Sequence, residues 1–401
     1  MTKNLLMLSA KESDIVLIQT AQKMGYHVIT TGYKAERIGN RYADEYLPFD
    51  YSDYDGLAEL AREHKISAIC EGCTDFCAFT ASAVGERLGL RGHDNLRNTE
   101  ILHRKDAFKA FTRKYNVKSP ITHSYASREE AVAELELEWG QFPLIVKPVD
   151  LAGGAGVHVA ENRQEYLDAV DDAIRWSHRG QIVVEPFIRG SLHSLSTFLI
   201  RQKVAAFGTA NDYSYKNPYL TNTGLFPADN WEKAVSILIP EVERIASILG
   251  LVDGLLHMQY IMDENGEPWI IEMMRRSPGN NFTTALSNST GIDWREWIIR
   301  AEAGEDCSAI PRGCTPKDYY GYHSIMAAKN GIFKEQRIAP ELRKHVLEEI
   351  RWMPPGHKIK DYMTEKTGSI QFLLETEDDC RYFMRQINEL ARAVVSSGAR
   401  T

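Results

Sequence analysis

Short apolar runs alternate with amphipathic stretches over residues 1–95, and this alternation constrains the fold more than any other feature. The runs NLLMLSA, YHVITTG and ISAIC predict strands, and residues 13–24, 56–64 and 76–88 have the apolar spacing of helices. Strands that alternate with helices form a parallel sheet covered by helices. A dinucleotide site is disfavoured, because SAKESD rather than a glycine-rich turn follows the first strand. We therefore expect a parallel-sheet domain with a scaffold or substrate role.

Length and composition limit the class of protein. With 401 residues the chain is too long for one hydrophobic core, and roughly two to four domains are expected. Its 43% apolar and 25% charged residues are ordinary for a globular protein in water. A net charge of −8 gives no general attraction to nucleic acid or to an anionic membrane. No apolar run reaches the roughly 18 residues of a membrane span. We therefore expect neither a nucleic acid nor a membrane as a partner.

The first residues and the cysteines bear on location. MTKNLLMLSAKESD is interpreted as a first strand rather than a signal peptide, because its apolar stretch is short. Six cysteines in a chain of this length do not form a disulfide framework, which favours the cytoplasm. Cys70, Cys73 and Cys77 are clustered in CEGCTDFC. A metal or iron–sulfur site is one interpretation, but we favour small buried thiols because no fourth ligand lies nearby.

Beyond residue 97 the pattern changes to hairpins and longer helices. Residues 98–117 predict one long amphipathic helix or a pair of helices. The other predicted elements are a strand at 143–150 followed by the glycine-rich LAGGAGVHVA, a helix at 163–177, a strand at 181–190, a hairpin at 193–211, a helix at 231–249, a second hairpin at 255–274, and a strand–helix–strand–helix segment at 320–401.

The second hairpin carries the strongest chemical signal. Asn265-Gly266 predicts a two-residue type I′ turn, which places Gln259 directly opposite Glu272 and His257 opposite Met274. Facing side chains lie about 4.5–5.5 Å apart at Cβ, so the amide and the carboxylate can share one hard cation such as Mg²⁺. The alternative is a Gln–Glu hydrogen-bonded pair on a half-wet sheet.

Two lysines and a glycine-rich segment indicate phosphate binding. Lys147 is a charge inside the apolar strand PLIVKP, and Gly153, Gly154 and Gly156 follow it closely. Glycines let backbone N–H groups close over phosphate oxygens. Lys105 opens the helix RKDAFKAF, where backbone N–H groups favour anions. The alternative for Lys147 is an edge lysine whose ammonium reaches solvent.

Together these motifs resemble the ATP-grasp superfamily of ligases over roughly residues 4–305. The resemblance is closest to the carbamoyl-phosphate synthetase and biotin carboxylase type and to stand-alone carboxylate–amine ligases. The order of features matches: an α/β domain, a helix-borne lysine, a strand lysine, a glycine-rich lid loop, the hinge VEPFIRG and a metal-binding hairpin that ends IE…R.

The resemblance implies roles for individual residues. ATP and Mg²⁺ would be the cofactors, with Mn²⁺ as a substitute. Arg276 and Lys147 would take part in phosphoryl transfer, and the neighbouring Arg275 would only close a salt bridge. The residues implied in ATP binding are Lys105, Lys147, Gly153, Gly154, Gly156, Glu185, Pro186, Phe187, Ile188 and His193, and those implied in metal binding are Gln259 and Glu272.

The chain departs from the superfamily pattern at three places. The acid that follows the hinge in many members is absent, which leaves His193 as the candidate for the ribose. Met274 stands where a metal-binding asparagine is usual, so Asn280, Asn281 or His257 is considered in its place. The lid loop GGAGV lacks a lysine.

The resemblance also implies an architecture of α/β and α+β type. A Rossmann-like parallel-sheet domain (1–97) would precede a two-lobed ATP-grasp domain (98–308), whose mobile lid covers about 118–187. A small C-terminal α+β segment (309–401) would pack on the ATP-grasp domain.

The implied reaction activates a small-molecule carboxylate as an acyl phosphate and joins it to an amine, releasing ADP and phosphate. The alternatives are a carboxylase-type enzyme that uses bicarbonate and a nucleotide-binding protein without catalysis. The expected partners are the two small substrates, with a homodimer as a candidate assembly. Acceptor-site candidates are Glu71, Asp75, Arg295 and the run 211–217, although such residues are also common on any surface.

Overall fold

The computed structural model describes residues 3–135, 141–151, 154–313, 316 and 318–396. Its N-terminal part is a four-stranded parallel sheet in the order β3-β2-β1-β4, with α1 on one face and α2 and α3 on the other. The predicted parallel sheet is confirmed, with one more strand than expected. Its elements are β1 (Lys3–Met7), α1 (Ile15–Lys23), β2 (Tyr26–Thr31), β3 (Glu45–Leu47), α2 (Tyr54–Glu63), β4 (Ile66–Cys70) and α3 (Asp75–Leu88), with 3-10 turns at Glu12–Asp14 and Ile38–Arg41.

The next part is a helix pair followed by a small antiparallel sheet. Arg104 has extended backbone and separates the two helices of the predicted 98–117 segment. The sheet has the order β5-β8-β6-β7 and packs against α6 and α7. The elements are α4 (Leu96–His103), α5 (Lys105–Tyr115), β5 (His123–Tyr125), α6 (Arg128–Glu134), β6 (Leu144–Pro148), β7 (His158–Ala160), α7 (Arg163–Trp176) and β8 (Ile182–Pro186).

An eight-stranded antiparallel sheet in the order β13-β12-β9-β10-β11-β14-β18-β16 forms the centre of the molecule. One face packs against α8 and the α4–α5 pair, and the other packs against α9 and α10. The elements up to residue 302 are β9 (Gly190–Ile200), β10 (Lys203–Ser214), β11 (Thr221–Phe226), α8 (Trp231–Leu249), β12 (Gly254–Asp263), β13 (Pro268–Met274), α9 (Phe282–Thr290) and α10 (Trp294–Glu302).

The C-terminal segment completes this sheet. The predicted strand–helix–strand–helix order for 320–401 is wrong, because the segment contains six described strands. Three of them, β14, β18 and β16, extend the central sheet beyond β11. The remaining strands form a three-stranded sheet in the order β17-β15-β19. The elements are β14 (Tyr319–Met326), β15 (Gly331–Ile338), α11 (Pro340–Arg343), β16 (Val346–Arg351), β17 (Lys358–Ile359), β18 (Lys366–Leu374), α12 (Glu377–Met384), α13 (Ile387–Leu390) and β19 (Ala391–Ser396). None of the described helices is both long and apolar enough to cross a membrane.

Candidate active site

The hairpin β12–β13 places Gln259 directly opposite Glu272 and His257 opposite Met274, as predicted. The predicted two-residue turn is wrong. The Asp263 N–H donates to the Glu267 carbonyl (3.0 Å) and the Gly266 N–H donates to the Asp263 carbonyl (2.9 Å), so the loop has three residues. A bulge between Gln259 and Tyr260 takes up the extra residue and restores the pairing.

Glu272 and Gln259 share their face of the sheet with a third polar side chain, Asp212 on β10. The Gln259 amide nitrogen donates to Asp212 Oδ2 (3.0 Å), and Ser194 Oγ donates to the same oxygen. Gln259 therefore does not form the Gln–Glu pair that was the alternative. Burial raises the pKa of Asp212 to about 7, Glu272 acts in the same direction, and the two hydrogen bonds oppose the shift.

The sequence analysis included Asp212 only within the acceptor-site candidate 211–217 and did not place it beside Gln259, because the run NDYSYKN is typical of a surface loop. Residues 211–214 of that run instead continue β10. The signal that was available is a carboxylate two residues after the small apolar Ala210, at strand spacing.

Three lysines lie between the central sheet and the small sheet. Lys147 Nζ on β6 donates to Glu185 Oε1 on β8, and Lys109 Nζ on α5 lies 3.0 Å from Glu185 Oε2. Burial would raise the pKa of Glu185, but Lys109 and Lys147 lower it to about 2. Lys105 Nζ donates to the Leu151 carbonyl, and burial lowers the pKa of this ammonium while Glu272 raises it. Lys109 was not predicted, because it looks like one more charge on an amphipathic helix.

The hinge lies beside the start of β6, and the glycine-rich segment lies beside its end. The Phe187 N–H donates to the Pro143 carbonyl (3.0 Å), Phe187 and Ile188 are half-buried, and Pro186 is exposed. Gly154 and Gly156 have φ angles of +78° and +67°. Gly153 lies outside the described residues.

Both glycines also have close neighbours. A Cβ on Gly154 would lie 2.4 Å from Tyr219 Cβ, and one on Gly156 would lie 2.8 Å from Pro148 Cγ. Backbone conformation and space both require glycine at these positions.

The two arginines after β13 have different partners. Arg275 is buried, and its Nε donates to Asp94 Oδ2 (2.6 Å) while its other nitrogens donate to backbone carbonyls. This contact agrees with the expected salt bridge. Arg276 donates to both oxygens of Asp75 (2.7 and 3.0 Å), the first residue of α3. Burial and Arg276 act in opposite directions on the Asp75 carboxyl, and its pKa falls well below the ordinary value.

His103 completes this contact and links the two arginines. The Arg275 backbone N–H donates to His103 Nε2 (3.0 Å), so that nitrogen carries no proton. The proton of the neutral ring therefore lies on Nδ1, which is 3.3 Å from Asp75 Oδ1. Asp75 is thus held by Arg276 and His103, and it brings the N-terminal sheet to the edge of the site.

Comparison with known proteins places this region in a family. Residues 103–278 match the family model of the phosphoribosylglycinamide synthetase ATP-grasp (A) domain. These residues form an ATP-grasp domain. The predicted resemblance to ATP-grasp ligases is confirmed for these residues.

Solved structures with the same architecture cover nearly the whole chain. L-amino acid ligase from Bacillus licheniformis superposes with a TM-score of 0.81 at 20% identity, covering 99% of each chain. The biotin carboxylase domain of 2-oxoglutarate carboxylase from Hydrogenobacter thermophilus superposes with a TM-score of 0.79 at 18% identity, covering 98% of this chain and 91% of that one.

Among curated proteins, the carbamoyl phosphate synthase large chain of Thermoanaerobacter pseudethanolicus is 23% identical over 228 residues, which is 56% of this chain. The match spans 21% of that relative's length. At these identities the likeness establishes the ATP-grasp fold.

His193 lies on the other side of the sheet from the candidate metal pair of the ATP-grasp domain. It pairs with Tyr260, and the two rings stack with centroids 5.2 Å apart in the core under α8. The residue is 2% exposed, and burial lowers its pKa. The structure therefore does not bring His193 to the face that carries Gln259 and Glu272.

The three substitutes considered for Met274 all form other contacts, although Asn281 Oδ1 is buried without a hydrogen-bond partner in the described part of the chain. His257 is on the correct face but is buried 2.8 Å from Ser196 Oγ, and burial together with Arg276 lowers its pKa to about 3. Asn280 Nδ2 donates to the Thr221 carbonyl (3.0 Å), and Asn281 Nδ2 donates to Ser369 Oγ (3.1 Å).

The other sequence candidates lie outside this cluster. Cys70 and Cys77 are buried, and Cys77 Sγ donates to the Leu8 carbonyl. Glu71 is buried against His93, with 3.1 Å between Oε1 and Nδ1. Arg295 lines a cleft of about 380 Å³ between α1 and α10, which shares no residue with the ATP-grasp cluster.

Proposed function

We propose that the protein is an ATP-dependent ligase that activates a small-molecule carboxylate as an acyl phosphate and joins it to an amine. The observation that carries this proposal is the pairing of Gln259 with Glu272 on one face of the central sheet. Lys105, Lys147 and Arg276 lie around the same space. Oxygen ligands surrounded by cationic side chains suit a metal-bound triphosphate.

The residues at the hairpin fit Mg²⁺, with Mn²⁺ as a substitute. Glu272 forms no ion pair or hydrogen bond with another residue of the described ranges. The amide nitrogen of Gln259 donates to Asp212, which leaves its oxygen available. Mg²⁺ bound there would neutralise phosphate charge, with water and phosphate completing its coordination.

ATP would lie between the central sheet and the small sheet. Lys105 and Lys147 would exchange their present acceptors, the Leu151 carbonyl and Glu185, for phosphate oxygens. The backbone around Phe187 and Ile188 would receive the adenine. We assign the lid to the small sheet, which falls within 118–187, and the domain boundaries at 97/98 and 308/309 stay predictions.

The reaction has two steps. A substrate carboxylate oxygen forms a bond to the γ-phosphorus of ATP, and the bond from that phosphorus to the β-phosphate oxygen breaks, releasing ADP. The amine nitrogen then forms a bond to the acyl carbon, phosphate leaves, and the amine loses a proton. Arg276 would stabilise charge on the transferred phosphoryl group. It would then give up its hydrogen bonds to Asp75, which would keep its contact with His103.

The similar proteins support ligation. The Bacillus licheniformis protein is an L-amino acid ligase, and its fold matches this one over 99% of each chain. The biotin carboxylase domain, described with MgADP and bicarbonate, supports the alternative in which bicarbonate is the carboxylate.

The carboxylate substrate would lie beyond Arg276, where three parts of the chain meet at Asn280. The Asn280 N–H donates to Ser13 Oγ (2.9 Å), and Asn280 Oδ1 accepts hydrogen bonds from Ser324 Oγ and Lys366 Nζ. Lys366 forms no ion pair with a described carboxylate. A half-buried ammonium that has no described carboxylate within ion-pair distance suits an anionic substrate group.

The test is ADP release in the presence of ATP, Mg²⁺ and a panel of amino acids and amines. We expect turnover that requires both a carboxylate and an amine. Glu272→Gln and Arg276→Ala should each lose about 10²-fold or more in rate while circular dichroism remains unchanged.

The alternatives give different results. Turnover that requires bicarbonate instead of an amino acid would select the carboxylase reaction. Thermal stabilisation by ATP without any ADP release would indicate a binding protein. Normal turnover by both variants would refute the site.

A further inference from the structure

Asp212 is a buried carboxylate with one oxygen that is not used. Its side chain is 8% exposed, and Oδ2 accepts both hydrogen bonds, from Ser194 and Gln259. Oδ1 is buried and has no hydrogen-bond partner in the described part of the chain. A buried polar atom without a partner costs free energy comparable to a lost hydrogen bond. A ligand bound to this oxygen would therefore remove an unfavourable contribution to stability.

The charges around Asp212 indicate what kind of ligand is missing. Asp212, Gln259 and Glu272 lie on one face of the central sheet, where the negative charge of Glu272 acts on Asp212. Neither carboxylate has an arginine, lysine or histidine within ion-pair distance in the described ranges. Two carboxylates on one face with an amide between them, and without a protein cation within ion-pair distance in the described ranges, suit a divalent metal ion.

The hydrogen bonds of Asp212 fix the orientation of its carboxylate in the way expected of a metal ligand. Ser194 and Gln259 both bind Oδ2, which fixes the carboxylate plane and leaves Oδ1 for a metal ion. Outer hydrogen bonds of this kind orient metal-binding carboxylates in proteins. Met274, which follows Glu272 on this face of β13, offers only a thioether, which is a poor donor to Mg²⁺.

We propose that Asp212 is a third protein ligand of the divalent cation bound by Gln259 and Glu272, contributing Oδ1. The proposal rests on the metal site of the proposed function. It adds a residue from β10, two strands away from β12, so the cation would tie the edge hairpin to the centre of the sheet.

The experiment is a calorimetric titration of the full-length protein with Mn²⁺ in the presence of ADP, without turnover. Asp212→Asn keeps the shape and the acceptor for Ser194 and Gln259 but removes the charge. We expect it to weaken Mn²⁺ binding about tenfold or more. Asp229→Asn is the matched control, because Asp229 is exposed and follows β11, and its Mn²⁺ affinity should equal that of the wild type.

A second measurement separates a lost ligand from a damaged fold. Without metal, Asp212→Asn should unfold at the same or a higher temperature than the wild type, because a buried charge has been removed. With Mn²⁺ and ADP it should gain less stability than the wild type.

The outcomes distinguish this proposal from the one on which it rests. If Glu272→Gln weakens Mn²⁺ binding and Asp212→Asn stays within twofold of the wild type, Asp212 is not a ligand. If Glu272→Gln leaves Mn²⁺ binding unchanged, the hairpin site itself is wrong and both proposals fall.

Discussion

Gln259 and Glu272 face each other across the edge hairpin although the loop between their strands is one residue longer than the Asn-Gly turn predicts. The bulge beside Tyr260 absorbs that residue before the strands reach Gln259. A longer loop alone would turn Glu272 to the opposite face, towards the core under α8. The loop and the bulge therefore have to be considered together, because only both of them keep the carboxylate on the face with Asp212.

The loop can be tested at Gly266, whose φ angle is +72°. A Cβ there would meet only the flexible end of Lys233, so the penalty of a side chain is conformational. Gly266→Ala should lower the free energy of unfolding by about 1 kcal/mol, and Gly266→Asn by less, because asparagine tolerates the left-handed region. Urea denaturation measures both variants, and equal stability of Ala and Asn would contradict the assigned loop.

The buried pair Arg275–Asp94 should contribute more to stability than a surface pair. Asp94→Ala leaves the Arg275 guanidinium buried without its carboxylate and removes an acceptor of the Val252 N–H. We expect a loss of about 3–5 kcal/mol in the free energy of unfolding. The control is Asp378→Ala, which breaks the exposed pair with Arg381 and should leave thermal unfolding unchanged. Similar effects of the two substitutions would contradict this difference.

Glu185 should make stability depend on acid pH. Its pKa is lowered from an ordinary 4.5 to about 2 by Lys109 and Lys147 against the effect of burial. Because the pKa is lower in the folded state, the ionised Glu185 carboxylate stabilises the fold above pH 4.5. This contribution of about 3 kcal/mol is lost as the pH falls from 4.5 to 2. Unfolding free energies of the wild type and Glu185→Gln should therefore converge over that range. A difference between the two proteins that stays constant from pH 6 to pH 2 would argue against the ion pairs.

The sequence predicts the site where chemistry and local pairing coincide. Gln259 and Glu272 are joined by one short hairpin, so a turn signal is enough to place them together. Lys105, Lys147 and the glycine-rich segment were predicted because a charge or a cluster of glycines is unusual at their positions. Arg275 and Arg276 were found, but Asp94 and Asp75 were not assigned to them, because these partners lie about 180–200 residues away in the chain.

The parts that the sequence did not predict depend on distant strand pairing. Asp212 reaches Gln259 only because β9 lies between β10 and β12, and no local pattern specifies that order. His193 faces the core because of its register with Tyr260. Two strands were predicted in the C-terminal segment where six are described, and three of the six continue a sheet whose other strands begin at residue 190.

Lys366 should determine binding of the carboxylate substrate and make it depend on alkaline pH. Burial lowers the pKa of its ammonium to about 8, with Glu12 opposing and Lys11 reinforcing the shift. The ammonium is charged below that pH and loses its proton as the pH rises through it. If this ammonium binds the substrate anion, the KM for the carboxylate substrate should rise between pH 7 and pH 9, while the KM for ATP stays nearly constant. Lys366→Met should show the high KM at every pH, and Lys366→Arg, which keeps its charge, should remove the pH dependence. A KM for the carboxylate that is the same in wild type and Lys366→Met would place the substrate elsewhere.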